Sequence, residues 1–153
     1  MTSFEPRNPD FAARVGASFG RQSFMGHIGA ELARIEPGFC EISLPYSERI
    51  CQQHGFFHGG VIGTIADNAG GYAAFSLMDA ESSVLTVEFK LNLLSPGEGE
   101  RLLARAQVMR AGRMLTVCRT DVYGVMGGDE THCATGLVTL MRLPGRADEP
   151  AAA

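Results

Sequence analysis

One stretch, residues 57–77, constrains the fold of this chain more than any other part of its sequence. It predicts a single long helix that is apolar on nearly every side, and its polar exceptions are Thr64, Asp67, Asn68 and Ser76. A helix that is apolar all round is either buried in a protein or spans a membrane. An aspartate near the middle of a span costs about 2.5–3.5 kcal/mol, and this stretch also contains five glycines. We therefore predict a buried helix that other strands, or a ligand, approach closely.

Strand patterns lie on both sides of this helix. They precede it at 29–36 and 39–44 and follow it at 84–94, 100–110, 114–125 and 131–143. The clearest is 84–94, in which apolar and polar residues alternate strictly. A short amphipathic helix, starting near Asp10 and ending near Gly20, comes before them all. Hairpin-length turns between the last four strands predict an antiparallel sheet, and the whole order predicts an α+β fold.

The central helix also predicts the shape of the sheet. One flat sheet would cover only one side of a helix that is apolar all round. The sheet must therefore curl around the helix, or a second subunit must cover its far side.

The chain of 153 residues is long enough for one domain with a real core. We predict an N-terminal helical segment at 1–28, a main domain at 29–143 and a flexible tail at 144–153. The net charge of −4 gives no sign of the basic surface that binds nucleic acid. The N-terminus lacks an apolar signal region, so we expect a cytoplasmic protein without a membrane partner.

The four cysteines, Cys40, Cys51, Cys118 and Cys133, form no C-x-x-C pair. We expect four reduced thiols, because a chain of this size needs no disulfide to fold. The alternative to four free thiols is a metal site built from Cys51, His54 and His58. It lacks the usual spacing of zinc ligands, so we predict neither a metal nor another cofactor.

Candidate chemistry begins at His58-Gly59-Gly60, where the long helix starts. The first N–H groups of a helix have no internal partner, and the helix dipole is positive there. The glycines let a substrate carbonyl approach these donors, although they could equally serve only a sharp turn into the helix. Asp67 follows Gly59 by eight residues, or about 12 Å along a helix. It is either a core carboxylate bonded to an amide or Thr64, or a base that serves the site of a neighbouring subunit.

These motifs resemble the hotdog-fold acyl-CoA thioesterases, and among them the PaaI-like branch. The resemblance rests on the H-G-G run, the carboxylate of Asp67, Gly55 in the preceding loop and a strand that ends in Ser95-Pro96. It extends from the strand at 29–36 to the strand at 131–143. It implies a curved antiparallel sheet wrapped around the central helix, and homodimers with joined sheets that often pair into tetramers.

The resemblance also implies roles for individual residues. Asp67 matches the family's catalytic carboxylate, a general base or nucleophile, and the Gly59 N–H matches the donor to the thioester carbonyl. His58 matches the family's histidine, with an architectural role. Gln52 stands where the family often has asparagine. Thr86 aligns with the Ser or Thr that assists the carboxylate, although it could be an ordinary strand residue.

Four further residues are predicted to contact an acyl-CoA substrate. Gly60 is expected to let the substrate approach the helix backbone closely. Gly70, with its neighbour Gly71, is expected to leave space near the chemistry for a medium-chain or aryl acyl group. Arg113 and Arg110 are candidates to hold the phosphates of coenzyme A, although most such arginines are only solvated. Two alternatives to a thioesterase stay open: a non-catalytic acyl-CoA-binding hotdog protein, and a hotdog hydratase or dehydratase.

Overall fold

The computed structural model describes residues 4–150. Its helices are α1 (Phe11–Gly20), α2 (Ser23–Ile28) and α3 (Gly59–Phe75), with a short 3₁₀ helix at Glu48–Ile50. Its strands are β1 (Glu31–Glu36), β2 (Phe39–Pro45), β3 (Ser82–Leu93), β4 (Arg101–Ala111), β5 (Leu115–Met126) and β6 (Asp129–Pro144). The predicted long helix and all six predicted strands are confirmed, each shifted by a few residues at its ends. The predicted domain limits stay a prediction, and their first and last three residues lie outside the described part of the chain.

The six strands form one antiparallel sheet in the order β1-β2-β4-β5-β6-β3. The hairpin-length turn between β3 and β4 predicted that these two strands pair, and this is wrong. β3 instead lies at the edge of the sheet, beside β6, with Ser82 opposite Pro144 and Leu93 opposite Ala134. Several of its apolar side chains are exposed, and Val87 is 57% exposed. Phe89 and Leu93 lie beside α3.

The helix α3 packs along the inner face of the sheet and contacts all six of its strands, β1 the least. Small residues let the sheet come close, because Ala66, Ala69 and Ala73 are almost completely buried. At Gly70 even a methyl group would be too large, since a Cβ there would lie 2.9 Å from the Cβ of Val138 on β6. The buried central helix is thus confirmed, and its glycine at 70 permits the close packing of helix and sheet.

Two N-terminal helices close the open side of this core. Val15 and Phe19 on α1 are buried in it, and Met25 and Ile28 on α2 join them. The sequence analysis missed α2, which has only six residues and ends at Gly29 with a left-handed φ of 78°. Within residues 4–150, none of the helices is both long and apolar enough to cross a bilayer.

The C-terminal segment 145–150 returns to the end of α1. Arg21 Nη2 donates to the carboxylate Oδ2 of Asp148 at 2.5 Å and to its backbone oxygen at 3.0 Å. The part of the predicted flexible tail that the structure describes is therefore held against the N-terminal helices. The last three residues of that predicted tail are outside the described range.

Candidate active site

The first turn of α3 has one backbone donor without an internal partner. His58 is the N-cap, and its Nδ1 accepts from Gly60 N–H at 2.9 Å. The His58 carbonyl accepts from Val61 N–H at 2.9 Å and from Ile62 N–H at 3.1 Å. No acceptor within residues 4–150 takes the N–H of Gly59. The cap therefore uses the neighbouring donors and leaves the Gly59 N–H open to a ligand.

The His58 cap leads to a prediction about stability. His58→Ala removes the acceptor for Gly60 N–H and is expected to lower the free energy of unfolding by about 0.5–2 kcal/mol. Urea unfolding followed by circular dichroism measures this loss. The control is His54→Ala, because the exposed side chain of His54 caps no helix, and it should change stability by less than about 0.5 kcal/mol. Equal effects of the two variants would refute a capping role for His58.

Asp67 lies on the second turn beyond Gly60 and meets the edge strand β3. The hydroxyl of Thr86 donates to Asp67 Oδ1 at 2.8 Å. A bulge between Thr86 and Glu88 shifts the register of β3 at this point; bulges commonly re-aim a side chain. Burial raises the pKa of Asp67 above its ordinary value of 3.8, and the Thr86 hydrogen bond opposes part of that rise. A carboxylate with a raised pKa is a stronger base than an ordinary aspartate.

The raised pKa of Asp67 predicts how stability depends on pH. Above the folded-state pKa, the ionised carboxylate carries a burial cost that it lacks in the unfolded chain. Below the unfolded-state pKa, the carboxyl is protonated in both states and the cost disappears. Asp67→Asn never carries that charge, so the melting temperature of the variant minus that of the wild type should increase from about pH 4 to about pH 8. Calorimetry at both values tests this, and a difference independent of pH would contradict it.

Two cavities meet at Asp67. The outer cavity has a volume of about 570 Å³. It is lined by Gln22, Phe24, Met25, Gly59, Gly60, Gly63, Thr64, Asp67, Asn68, Phe89, Leu91 and Leu93. The inner cavity, about 240 Å³, shares Gln22, Asp67 and Asn68 with it and adds Gly71, Thr86 and Asp148. The free Gly59 N–H and the Asp67 carboxylate therefore belong to one open space with a largely apolar wall.

The other predicted site residues do not all line the two cavities that meet at Asp67. Gly60 lines the outer cavity. Gln52 does not reach Asp67: its Oε1 accepts from the backbone N–H of His54, and it borders a separate cavity of about 430 Å³ beside Gly59. The structure contradicts the prediction for Gly70, because Val138 occupies the space that we predicted for an acyl group. The same prediction was made for Gly71, and there nothing lies within 4 Å of a Cβ built on the backbone.

Arg110 and Arg113 lie far from this site within one chain. Arg110 lies at the end of β4 and Arg113 in the turn between β4 and β5, near Leu77 and Met78 beyond the C-terminal end of α3. The 17 residues of α3 separate that end from Gly59 by about 25 Å, at about 1.5 Å per residue. Both arginines are exposed. The structure therefore does not bring them to the cavities of their own chain.

A row of polar side chains separates the two cavities, and sequence reasoning missed it. Asn68 Nδ2 donates to Gln22 Oε1 at 2.8 Å, and Gln22 Nε2 donates to Tyr72 Oη at 2.9 Å. The Tyr72 hydroxyl donates to Ser18 at 3.1 Å, and burial raises the pKa of Tyr72 above its ordinary value of 10.0, so it keeps its proton. Asn68 was visible as a polar exception on an apolar helix. No sequence pattern pointed to Gln22, because the helix that follows it, α2, is too short to show a helical period of apolar residues.

The residues weighed as metal ligands are not assembled into a site. Within residues 4–150, no group of three or more His, Cys, Asp or Glu side chains is placed to hold a metal ion. His58 caps α3 through Nδ1, and the thiol of Cys51 donates to the carbonyl of Ser47 at 3.2 Å.

Comparison with known proteins assigns the family. A family model described as the thioesterase superfamily matches residues 54–128. The crystal structure of a thioesterase family protein from Silicibacter pomeroyi is 48% identical, with a TM-score of 0.86, over 88% of this chain and 99% of that one. The chain belongs to the thioesterase superfamily. The predicted hotdog fold and the predicted enzyme class, a thioester hydrolase, are thereby confirmed.

Further relatives of this thioesterase cover most of its length. The PaaI protein of Escherichia coli shares the fold, with 19% identity and a TM-score of 0.81 over 92% of this chain and 98% of that one. The medium/long-chain acyl-CoA thioesterase YigI of Escherichia coli is 25% identical over 74% of this chain and 81% of its own. The 1,4-dihydroxy-2-naphthoyl-CoA hydrolase of Listeria monocytogenes is 27% identical over 69% of this chain and 81% of its own.

Proposed function

We propose that this thioesterase hydrolyses acyl-CoA thioesters to a free acid and coenzyme A. One observation carries the proposal: a largely apolar cavity is lined by the unpaired Gly59 N–H and by the Thr86-bound carboxylate of Asp67, about 12 Å apart on α3, so that each can complete a site with its counterpart on a second copy. An apolar pocket with a few convergent polar groups is the usual form of a small-molecule site. Acyl-CoA hydrolysis by two relatives of this chain supports the choice of thioester.

In the reaction, Asp67 acts as a general base in its ionised form. It takes a proton from a water molecule as the water oxygen attacks the thioester carbonyl carbon. The negative charge that forms on the carbonyl oxygen is stabilised by the Gly59 N–H and by the positive end of the α3 dipole. The tetrahedral intermediate then collapses, the C–S bond breaks, and coenzyme A leaves as a thiolate that takes up the proton.

A second route makes Asp67 the nucleophile. Its carboxylate would attack the thioester carbonyl and expel coenzyme A as a thiolate, which leaves a mixed anhydride that water then hydrolyses at the carboxyl carbon of Asp67. A single turnover in ¹⁸O-labelled water separates the two routes. The general-base route places the label in the released acid at once, whereas the nucleophile route gives a first acid whose new oxygen comes from Asp67.

The spacing of the two groups supports a site shared between subunits. Eight residues separate Gly59 from Asp67 on one straight helix, which corresponds to about 12 Å. One thioester carbon must lie about 3 Å from both the attacking group and the oxyanion donor. A homodimer in which one protomer supplies Gly59 and its partner supplies Asp67 meets this requirement. The exposed apolar side chains on the edge strand β3 support such a homodimer, and a dimer of dimers stays a prediction.

The outer cavity supports an apolar acyl group as the substrate. Its wall includes Phe24, Met25, Phe89, Leu91 and Leu93. We propose a medium-chain or aryl acyl group, and Gly60 belongs to its entrance. In a shared site, Arg110 and Arg113 could contact coenzyme A only from another subunit. The cytoplasmic location stays a prediction, supported by the free state of all four cysteines.

A panel of acyl-CoAs, with free thiol measured as the product, tests the proposed function. Release of thiol from medium-chain or aryl substrates is the expected result. Tight binding without thiol release would instead support the non-catalytic acyl-CoA-binding alternative. A change in the acyl group with no thiol release would support the hydratase or dehydratase alternative, which needs a histidine beside the acid, whereas His58 Nδ1 is engaged by Gly60 N–H.

A further inference from the structure

The inner cavity has a wall that the proposed reaction does not use. Its floor is α3, at Gly71 and Tyr72, and one side is β3, at Thr86. Another side is Asp148, which belongs to the C-terminal segment and not to the sheet or to α3. This wall can therefore move without disturbing the strands or the central helix.

One ion pair holds that wall in place. Arg21 Nη2 reaches both the carboxylate and the backbone oxygen of Asp148, at 2.5 and 3.0 Å. The side chains of Arg21 and Asp148 are 36% and 26% exposed. Exposed ion pairs contribute little to stability and weaken in salt. The pair is thus a weak latch, which we name the Arg21–Asp148 latch.

The latch is continuous with the polar row between the cavities. Arg21 directly precedes Gln22, whose amide bonds both Asn68 and Tyr72. Asp67, Asn68 and Gln22 line both cavities, so the two spaces meet beside the carboxylate. An acyl group bound in the outer cavity that passes this row would enter the inner cavity and end at Asp148.

We propose that the inner cavity binds the distal end of long acyl groups and that the Arg21–Asp148 latch limits their length. The inference rests on the proposed function, because it concerns the acyl group of the same substrate. Chains that end in the outer cavity do not meet the latch. Longer chains must displace the C-terminal segment, which the latch opposes.

The test uses the ratio of kcat/KM for tetradecanoyl-CoA to kcat/KM for butanoyl-CoA. Asp148→Ala should raise this ratio about two- to fivefold, the range expected from a weak exposed ion pair. Glu149→Ala is the matched control, because the neighbouring carboxylate is exposed and does not line the inner cavity. The charge-swapped double variant, Arg21→Asp with Asp148→Arg, should return the ratio toward the wild-type value. High salt should raise the ratio in the wild type and not in Asp148→Ala.

A second variant changes the ratio in the opposite direction. Gly71→Leu fills the inner cavity from its floor, where nothing lies within 4 Å of a Cβ, and should lower the ratio about tenfold or more. Gly16→Leu is its control, since Gly16 also lies on a helix with nothing within 4 Å of a Cβ. If Asp148→Ala and Gly71→Leu both match their controls, the inner cavity does not bind the acyl end and the inference is overturned.

Binding of non-hydrolysable acyl-CoA thioethers separates this inference from the proposed function. The dissociation constants of the same variants are measured for the two chain lengths by calorimetry. A shift of the binding ratio in an inactive protein would overturn the hydrolase proposal and keep the inner cavity as an acyl subsite. Normal hydrolysis with unchanged binding ratios would keep the hydrolase proposal and overturn the inner cavity as an acyl subsite.

Discussion

Replacing Asp67 by asparagine is expected to lower kcat by about 10²–10⁴-fold, the contribution of a positioned general base. The change removes the base and keeps the shape of the side chain. The Thr86 hydroxyl, which donates to Asp67 Oδ1 at 2.8 Å, can donate equally to the amide oxygen of asparagine. Burial should not oppose the variant, because the neutral amide avoids the cost that raises the pKa of the carboxyl. Thiol release at saturating acyl-CoA measures the loss.

Two controls make this result specific. Asp129→Asn removes an exposed carboxylate at the first residue of β6 and should keep the wild-type kcat. Binding of a non-hydrolysable acyl-CoA thioether to Asp67→Asn should stay close to that of the wild type, because the outer cavity is unchanged. A folded Asp67→Asn protein with near-normal turnover would place the chemistry at another group.

The second large effect is expected from mixing two inactive variants. Gly59→Pro removes the free N–H, and loss of one oxyanion donor costs about 10²–10³-fold in kcat. Proline suits the first position of α3, because the preceding His58 has an extended ψ of 136°. A Cβ at Gly59 would meet the Leu93 side chain at 3.2 Å, and Leu93 is 58% exposed and can move.

Each variant alone breaks every site, but a shared site allows them to complement each other. In a dimer of one Asp67→Asn protomer and one Gly59→Pro protomer, one site carries both defects and the other carries neither. Purification through two different tags should therefore recover about half of the wild-type activity per dimer. Same-tag dimers of each parent are the controls. Mixed dimers that stay as inactive as their parents would show that Gly59 and Asp67 act within one chain.

The parts of this protein that could be predicted are those that depend on local pattern. The length and burial of α3 follow from a stretch that is apolar on nearly every side, and the open donor at Gly59 follows from the rule that first-turn N–H groups have no helical partner. The contact between Thr86 and Asp67 was suggested only by resemblance. It depends on a strand pairing that no local pattern encodes.

The predictions that the structure contradicts also depend on contacts between distant parts of the chain. The predicted strands at 84–94 and 100–110 are separated by a hairpin-length turn, yet β3 pairs with β6. Helical spacing places both Gly70 and Gly71 near Asp67, and it does not say which of them faces the sheet. In the structure Gly70 packs against Val138, whereas Gly71 lines the inner cavity. Gln22 and Asp148 come from opposite ends of the chain, so their meeting at the inner cavity is a property of the complete fold.

The strand order also determines when the site can form during synthesis of the chain. Thr86 lies opposite Leu140 in the pairing of β3 with β6, so its place beside Asp67 depends on a strand that the ribosome makes last. Until β6 emerges, β3 has no partner strand and its exposed apolar side chains stay uncovered, as is typical of slow, non-local pairing. Nascent chains that stop before β6 would therefore hold Asp67 without its hydroxyl partner and would be natural clients for chaperones.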